Sequence, residues 1–452
     1  MGKFKATLFI IIFMLFAVSC APKTSNKPNV VENLSDKKPN LTDNVEPRIN
    51  DVSIAEDDEL TQRALDNANF DYIISTKDKP NDLNINMNLA NLAVNRIFNL
   101  EGNKNYDVDL MYKKYLMPKD FILITKDKVN IYNKPYADAN VMGEAYIYEK
   151  LKVINEVIGE YTKDGSTNKW YSVVWSDKEG NPYYGFLPSN AGELRSFRFD
   201  KMVDLITGFE KELNSNKYGY VSNYKDVNGA PPLINNKGID KYGAQAYQSA
   251  PLYYDLNNKS EFRYVPDGMM VFIIGETKGY YKVKIMDYEG KYWVPKKYVS
   301  LDNNLDTLSK VVVIDALNQN QGVFEKRDAK WILVSYGLAT TGVEGKASFV
   351  TPVGKFKVLE KRDKFYYLDP NGDDVAGYAP YGIRFAQGAY IHGVPVDYIK
   401  EDGKNVDPGM KEFLFTIGTF PRSHKCVRNY TSHAKFLYDW LDVNDSAVIV
   451  FK

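Results

Sequence analysis

Hydrophobic positions run unbroken only near the start of the chain, where MGKFK gives way to ATLFIIIFMLFAV and then to Ser19 and Cys20. A run this short, preceded by two lysines, is a targeting segment rather than a comfortable bilayer span. From residue 20 to 56 the pattern disappears. Lys, Asn, Asp and Pro dominate, no apolar period survives, and the stretch predicts a disordered tether. Over 57–116 apolar residues recur three and four apart, in DELTQRALDNANF and MNLANLAVNRIFNL, which predicts a small helical segment.

Beyond that segment the period changes to two. The stretches 119–197 and 246–302 each carry an aromatic-led alternating strand, Trp170 to Trp175 and Tyr280 to Ile285. In each, a turn with Gly180 or Gly290 follows, and then a second aromatic strand ending at Pro188 or Pro295. Alternation with glycine turns at this spacing predicts short antiparallel strands in two small barrels, joined by a connecting segment over 198–245. The phrase VNIYNKPYADANVMGEA resembles the opening of a bacterial SH3-like domain. In that family such modules often bind cell-wall peptide; a spacer or packing role is the alternative. A third β-rich unit, 308–452, opens on the continuous apolar strand KVVVIDAL and continues with KWILVSYGLATTG. It closes on SAVIVFK after one helix, TSHAKFLYDWLDV, in which Ala434, Leu437 and Leu441 fall three and four apart. Thr431 or Ser432 is placed to cap that helix. The fold class expected is therefore mainly β, two small barrels followed by a β-rich unit with a late helix.

Charge removes some classes of function. Lys plus Arg and Asp plus Glu are both 58, so no strong field exists to hold nucleic acid or an anionic surface. Cysteine usage adds more. AVSC resembles the lipidation site of a bacterial lipoprotein, with Ala17 where that motif prefers leucine. The resemblance implies lipid on Cys20, a membrane partner through that lipid, and an extracytoplasmic location. An ordinary signal peptide or anchor is the alternative. With Cys20 acylated, Cys426 has no partner in the chain, so it is either buried and inert or exposed for its reactivity.

Its neighbours favour reactivity. A thiol is a useful nucleophile only as the thiolate and needs a base or a positive partner. His392, ending the apolar stretch AYIH just before Gly393, is placed to be that base. If 423–426 are extended, His424 and Cys426 point the same way. His433, on the helix, reads as structural. Four phrases occur in order: VTPVGKFKV, APYGIRFAQGAYIHGV, SHKCVRN and the capped helix. Together they resemble the L,D-transpeptidase, or YkuD, catalytic domain.

That resemblance implies Cys426 as nucleophile, His392 as general base, and a Gly393 carbonyl that orients the imidazole. His424, brought beside the sulfur by that extended run, joins the catalytic set or makes a structural or substrate contact instead. Backbone N–H groups of Lys425 and Cys426 would form an oxyanion hole, and Ser423, Tyr390, Arg428 and Asn429 would shape the substrate site. Arg428 could pair with a substrate carboxylate or sit solvated, and Asn429 could instead cap the helix. The implied substrates are peptidoglycan stem peptides: thioester formation at the third stem residue, then transfer to a neighbouring stem amine, water or a protein amine. Acylation by carbapenems is implied as well, and neither cofactor nor metal. A non-catalytic wall-binding lipoprotein is the rival of another class. An NlpC/P60-type hydrolase has its cysteine before its histidine, the reverse of the order here.

Two departures accompany the resemblance. Lys425 stands where the family has glycine, and VPVDYIKEDGKNVDPGMKEF lengthens the stretch between His392 and Cys426. The insertion could serve as a lid or choose the acceptor, or the two departures together could mark an inactive member.

Overall fold

A computed structural model describes residues 45–47, 92–99, 105–176, 182–234, 236, 238–345, 348–369 and 374–452. Cys20 and the targeting run lie outside them, as do most of the expected tether and residues 57–91 of the expected helical segment. Strands dominate the rest. The first sheet runs from Gly192–Ser196 through Asp120–Ile124, Lys150–Ile158, Lys169–Ser176, Pro182–Pro188 and Lys128–Tyr132 to Val141–Tyr146. Along Lys150–Ile158 buried and half-buried residues alternate strictly, the period-two signature of a sheet with one packed face. The second sheet places Lys217–Val221 between Met270–Thr277 and Val299–Ser300, and Ser249–Tyr253 between Phe262–Pro266 and Tyr292–Pro295.

Three segments differ from expectation. Ala93–Ile97 and Asp107–Val108, in the stretch predicted helical, are strands. Every residue of Ala93–Ile97 is exposed, so no buried face rewards a helix, and pairing with Lys150–Ile158 decides the conformation. Within the predicted tether, Val45–Pro47 pairs in parallel with Lys404–Asp407. The connecting segment holds the longest described helix, α1, Phe199–Ser215. Its buried Phe199, Met202, Val203, Ile206, Phe209 and Leu213 form one apolar stripe, a helical period present in the sequence but passed over.

The last unit contains two sheets. Strands β1 (Lys310–Asp315), β2 (Asn320–Arg327), β3 (Lys330–Leu338) and β4 (Gly354–Lys357) are joined by β9 (Ser446–Phe451). Their order is β4-β9-β1-β2-β3, with Asp107–Val108 at the edge beside β3. β1 and β9 run parallel, and nearly every residue of both is buried, which is why they read as continuous apolar runs. The other sheet is β5 (Glu360–Leu368), β6 (Val375–Ala386), β7 (Ala389–His392) and β8 (Val427–Arg428). Helix α2, Thr431–Trp440, buries Ala434 and Leu437. Its cap is not the expected one. Glu412 reaches in from the inserted loop, its Oε2 accepting the Ser432 N–H at 2.8 Å, while Thr431 Oγ1 donates to the Lys411 carbonyl.

The insertion itself is an ordered hairpin, Ile399–Glu401 against Lys404–Asp407, turning at Asp402 (φ 48°) and Gly403 (φ 79°). Asp407 stitches it down: its carboxylate accepts from the Tyr378 hydroxyl at 3.2 Å and pairs with Lys364 at 3.3 Å. The second sheet shares a core with the last unit, where Val221, Leu252 and Val283 join Val312, Phe356, Ile391 and Val427 in one buried cluster. A buried ion pair, Arg384 to Asp267 at 2.6 Å, crosses the same boundary.

Candidate active site

The site is built where β7 and β8 lie parallel, with Ile391 opposite Val427 and His392 opposite Arg428. Ile391 and Val427 are fully buried in the core, so pleating turns His392 and Arg428 to the other face, side by side. Cys426 immediately precedes β8. It is half-buried and in no disulfide among the described residues, and its Sγ lies 3.7 Å from the Gly388 carbonyl, in the turn between β6 and β7.

The state of His392 follows from two contacts. Its Nδ1 lies 2.6 Å from the Gly393 carbonyl, which can only accept, so Nδ1 carries the proton and Nε2 keeps its lone pair. Burial, and then the Arg428 guanidinium, pull its pKa down to about 4, against the Gly393 carbonyl that favours the charged ring. At neutral pH the imidazole is therefore uncharged, in one tautomer, with Nε2 able to take a proton. Arg428 is itself pulled down by burial, while Cys426, Tyr367 and Asp397 push it back up. Its positive charge thus acts on both the cysteine and the histidine. Its Nε is buried and makes no hydrogen bond among the described residues.

Residues 423–426 are not the extended run the alternation required. Ser423 makes a bridge to Gly342, and the backbone bends at His424 and Lys425. Lys425 has φ 156°, at the edge of the region where only glycine is free of penalty. His424 is exposed for much of its side chain, and partial desolvation and then the Arg428 charge lower its pKa. The loop is pinned from several sides. Ser423 Oγ donates to the Cys426 carbonyl and accepts the Lys425 N–H at 3.3 Å. Thr351, from the phrase VTPVGKFKV, donates to the Lys425 carbonyl at 2.7 Å and accepts the Gly342 N–H at 2.8 Å. That contact explains why a threonine so far upstream belongs with the cysteine phrase.

The remaining candidates divide. Asn429 is buried, its side chain bonded to Gln321 at 2.8 Å and its N–H to the His392 carbonyl at 2.8 Å, so it braces the histidine and caps no helix. Tyr390 is fully buried, stacked on Phe365 with ring centroids 4.3 Å apart, and lines no open surface. His433 lies away from the cysteine, bonded to Ser335 at 2.8 Å and stacked on Tyr112. Sequence reasoning missed Gln387, Gln245 and Glu412, because glutamines and a lone glutamate carry no local pattern.

Residues 309–450 match the family model of the L,D-transpeptidase catalytic domain, YkuD. The match covers the whole constellation from β1 to β9. Among solved structures, an L,D-transpeptidase from Stackebrandtia nassauensis is 24% identical, with 33% of this chain and 58% of that one covered and a TM-score of 0.23. The L,D-transpeptidase of Mycobacterium smegmatis is 18% identical, covering 40% and 82%, with a TM-score of 0.25. L,D-transpeptidase 3 from Mycobacterium tuberculosis, solved with a faropenem-derived adduct, is 18% identical over 40% and 79%, with a TM-score of 0.26. This chain spans little more than half the length of the Stackebrandtia structure. A search of curated proteins found no match.

Proposed function

We propose that the protein is a cysteine-dependent L,D-transpeptidase acting on peptidoglycan stem peptides outside the cytoplasm, tethered by lipid at Cys20. The observation that carries the reading is the arrangement at β7 and β8 inside the YkuD match: a half-buried thiol at the head of a strand whose neighbour presents a neutral, single-tautomer histidine. His392 Nε2 takes the Cys426 proton, and the thiolate attacks the carbonyl carbon of the third stem residue. The C–S bond forms, the C–N bond to the terminal D-alanine breaks, and the proton leaves with the departing amine. An amine from a second stem then attacks the thioester, forming C–N and releasing the thiol, which yields a 3→3 cross-link. Arg428 supplies positive charge beside the thiolate. The alternating β units, with their resemblance to SH3-like modules, would bring the wall to the site.

The test incubates the full-length protein and its Cys426→Ala variant with disaccharide-tetrapeptides, reading the products by mass spectrometry. A dimer lacking one D-alanine, absent with the variant, supports the transpeptidase. Tripeptide alone assigns water as acceptor and makes the protein an L,D-carboxypeptidase. Identical, unchanged substrate with both proteins overturns the enzymatic reading in favour of a wall-binding lipoprotein.

A further inference from the structure

The lysine that replaces glycine in the cysteine loop is tied to the second sheet's unit. Lys425 Nζ donates to Gln387 Oε1 at 2.8 Å and to Gln245 Oε1, and it lies 5.1 Å from the Phe349 ring centroid. Gln387 is nearly fully buried and sits in the β6–β7 turn at φ 45°, beside the Gly388 whose carbonyl approaches Cys426 Sγ. Its amide is used at both ends. Nε2 donates to the Tyr247 carbonyl at 3.0 Å and to Ser249 Oγ at 2.9 Å, and its backbone N–H donates to the Asp267 carbonyl. Gln245 is held in turn by a bridge to Ile239. A chain of side chains therefore runs from the unit that carries the second sheet to the residue just before the nucleophile.

Geometry gives the tether a purpose. The family pattern has glycine where Lys425 stands, and here φ is 156°, a conformation a lysine adopts only when its surroundings hold it there. Thr351 and Ser423 hold the backbone, and the two glutamines hold the far end of the side chain. We infer that Lys425 is a positioning residue: anchored by Gln387 and Gln245, it fixes the cysteine loop in the conformation that receives the oxyanion. On this inference the second sheet's unit completes the active site rather than merely preceding it. The inference rests on Cys426 being the nucleophile, but not on the identity of the substrate.

A double-mutant cycle in the full-length protein tests it, using Gln245→Leu, Lys425→Gly and the pair. Two reactions of Cys426 are followed: acylation by p-nitrophenyl acetate, which develops an oxyanion, and alkylation by iodoacetamide, which does not. Gln245→Leu alone is expected to slow acylation about tenfold while leaving alkylation within about twofold. In the Lys425→Gly background, where glycine needs no tether, the same change is expected to have no effect on acylation. Equal losses in both backgrounds, parallel loss of acylation and alkylation, or no loss at all would each overturn the inference. Stem-peptide turnover is scored separately, so failure of the transpeptidase reading leaves this result intact.

Discussion

At the scale of single residues, the histidines carry the clearest consequences. Burial holds His392 at about 4 and His433 at about 3, both below the ordinary value of 6.5. The unfolded chain takes up protons between those values and 6.5 while the folded chain does not, so stability is full above pH 6.5 and falls as the pH drops through that window. Each histidine contributes about 3 kcal/mol to the difference between pH 7 and pH 4. Urea denaturation of His433→Phe at both pH values should show that difference reduced by about 3 kcal/mol, whatever the variant loses at pH 7. An unchanged difference would mean that His433 titrates normally in the folded state. Cys426 and His392 stood out as candidates in the sequence because thiols and imidazoles are scarce here, and the structure brings them to adjacent strands. Tyr390, expected to shape the substrate site, is instead buried in the structure. An aromatic next to the histidine phrase looks equally suited to a cleft or to a core, and only the stacking on Phe365 decides between them.

Elements were legible where burial enforces their period. β1 and β9, buried almost throughout, announce themselves; Ala93–Ile97, exposed throughout, takes its conformation from the strand it pairs with, and no local pattern records that. Helix α2 shows the limit from another side. Its apolar positions are plain in the sequence, but its first turn is satisfied by Glu412, from a loop whose spacing to the helix no motif describes. Glu412 is nearly fully buried, and its carboxylate also receives Lys114 at 2.8 Å and the Ser432 hydroxyl. An anion at a helix N-terminus is favoured by the helix dipole as well as by the hydrogen bonds. Glu412→Ala is therefore expected to cost about 2 kcal/mol in urea denaturation. Lys114→Ala, whose side chain is half exposed, is expected to cost less than about 1 kcal/mol. Equal costs would mean that the ion pair, not the cap, is what Glu412 provides.

For the molecule as a whole, the contact between the second sheet and the last unit is the feature that sequence reading could least anticipate. Asp267 and Arg384 are both buried at that boundary, and the guanidinium also lies 3.9 Å from the Tyr224 ring centroid. Removing one charge strands the other in the core, so Asp267→Ala is expected to cost about 3–5 kcal/mol. Replacing both, as Asp267→Leu with Arg384→Met, should cost much less, and equilibrium denaturation of the two variants compares them directly. If the single and double variants are equally destabilised, the pair is not the seam's anchor. The parallel pairing of β1 with β9 has a different kind of consequence, one of timing. β9 lies in the middle of its sheet, between β4 and β1, so the sheet has a missing centre until residues 446–451 emerge. The sheet that shares its core with Ile391 and Val427 must therefore wait for that strand. A chain interrupted before Ser446 leaves β1 and β4 without the strand that joins them, and the unit that carries Cys426 with only one of its two sheets intact.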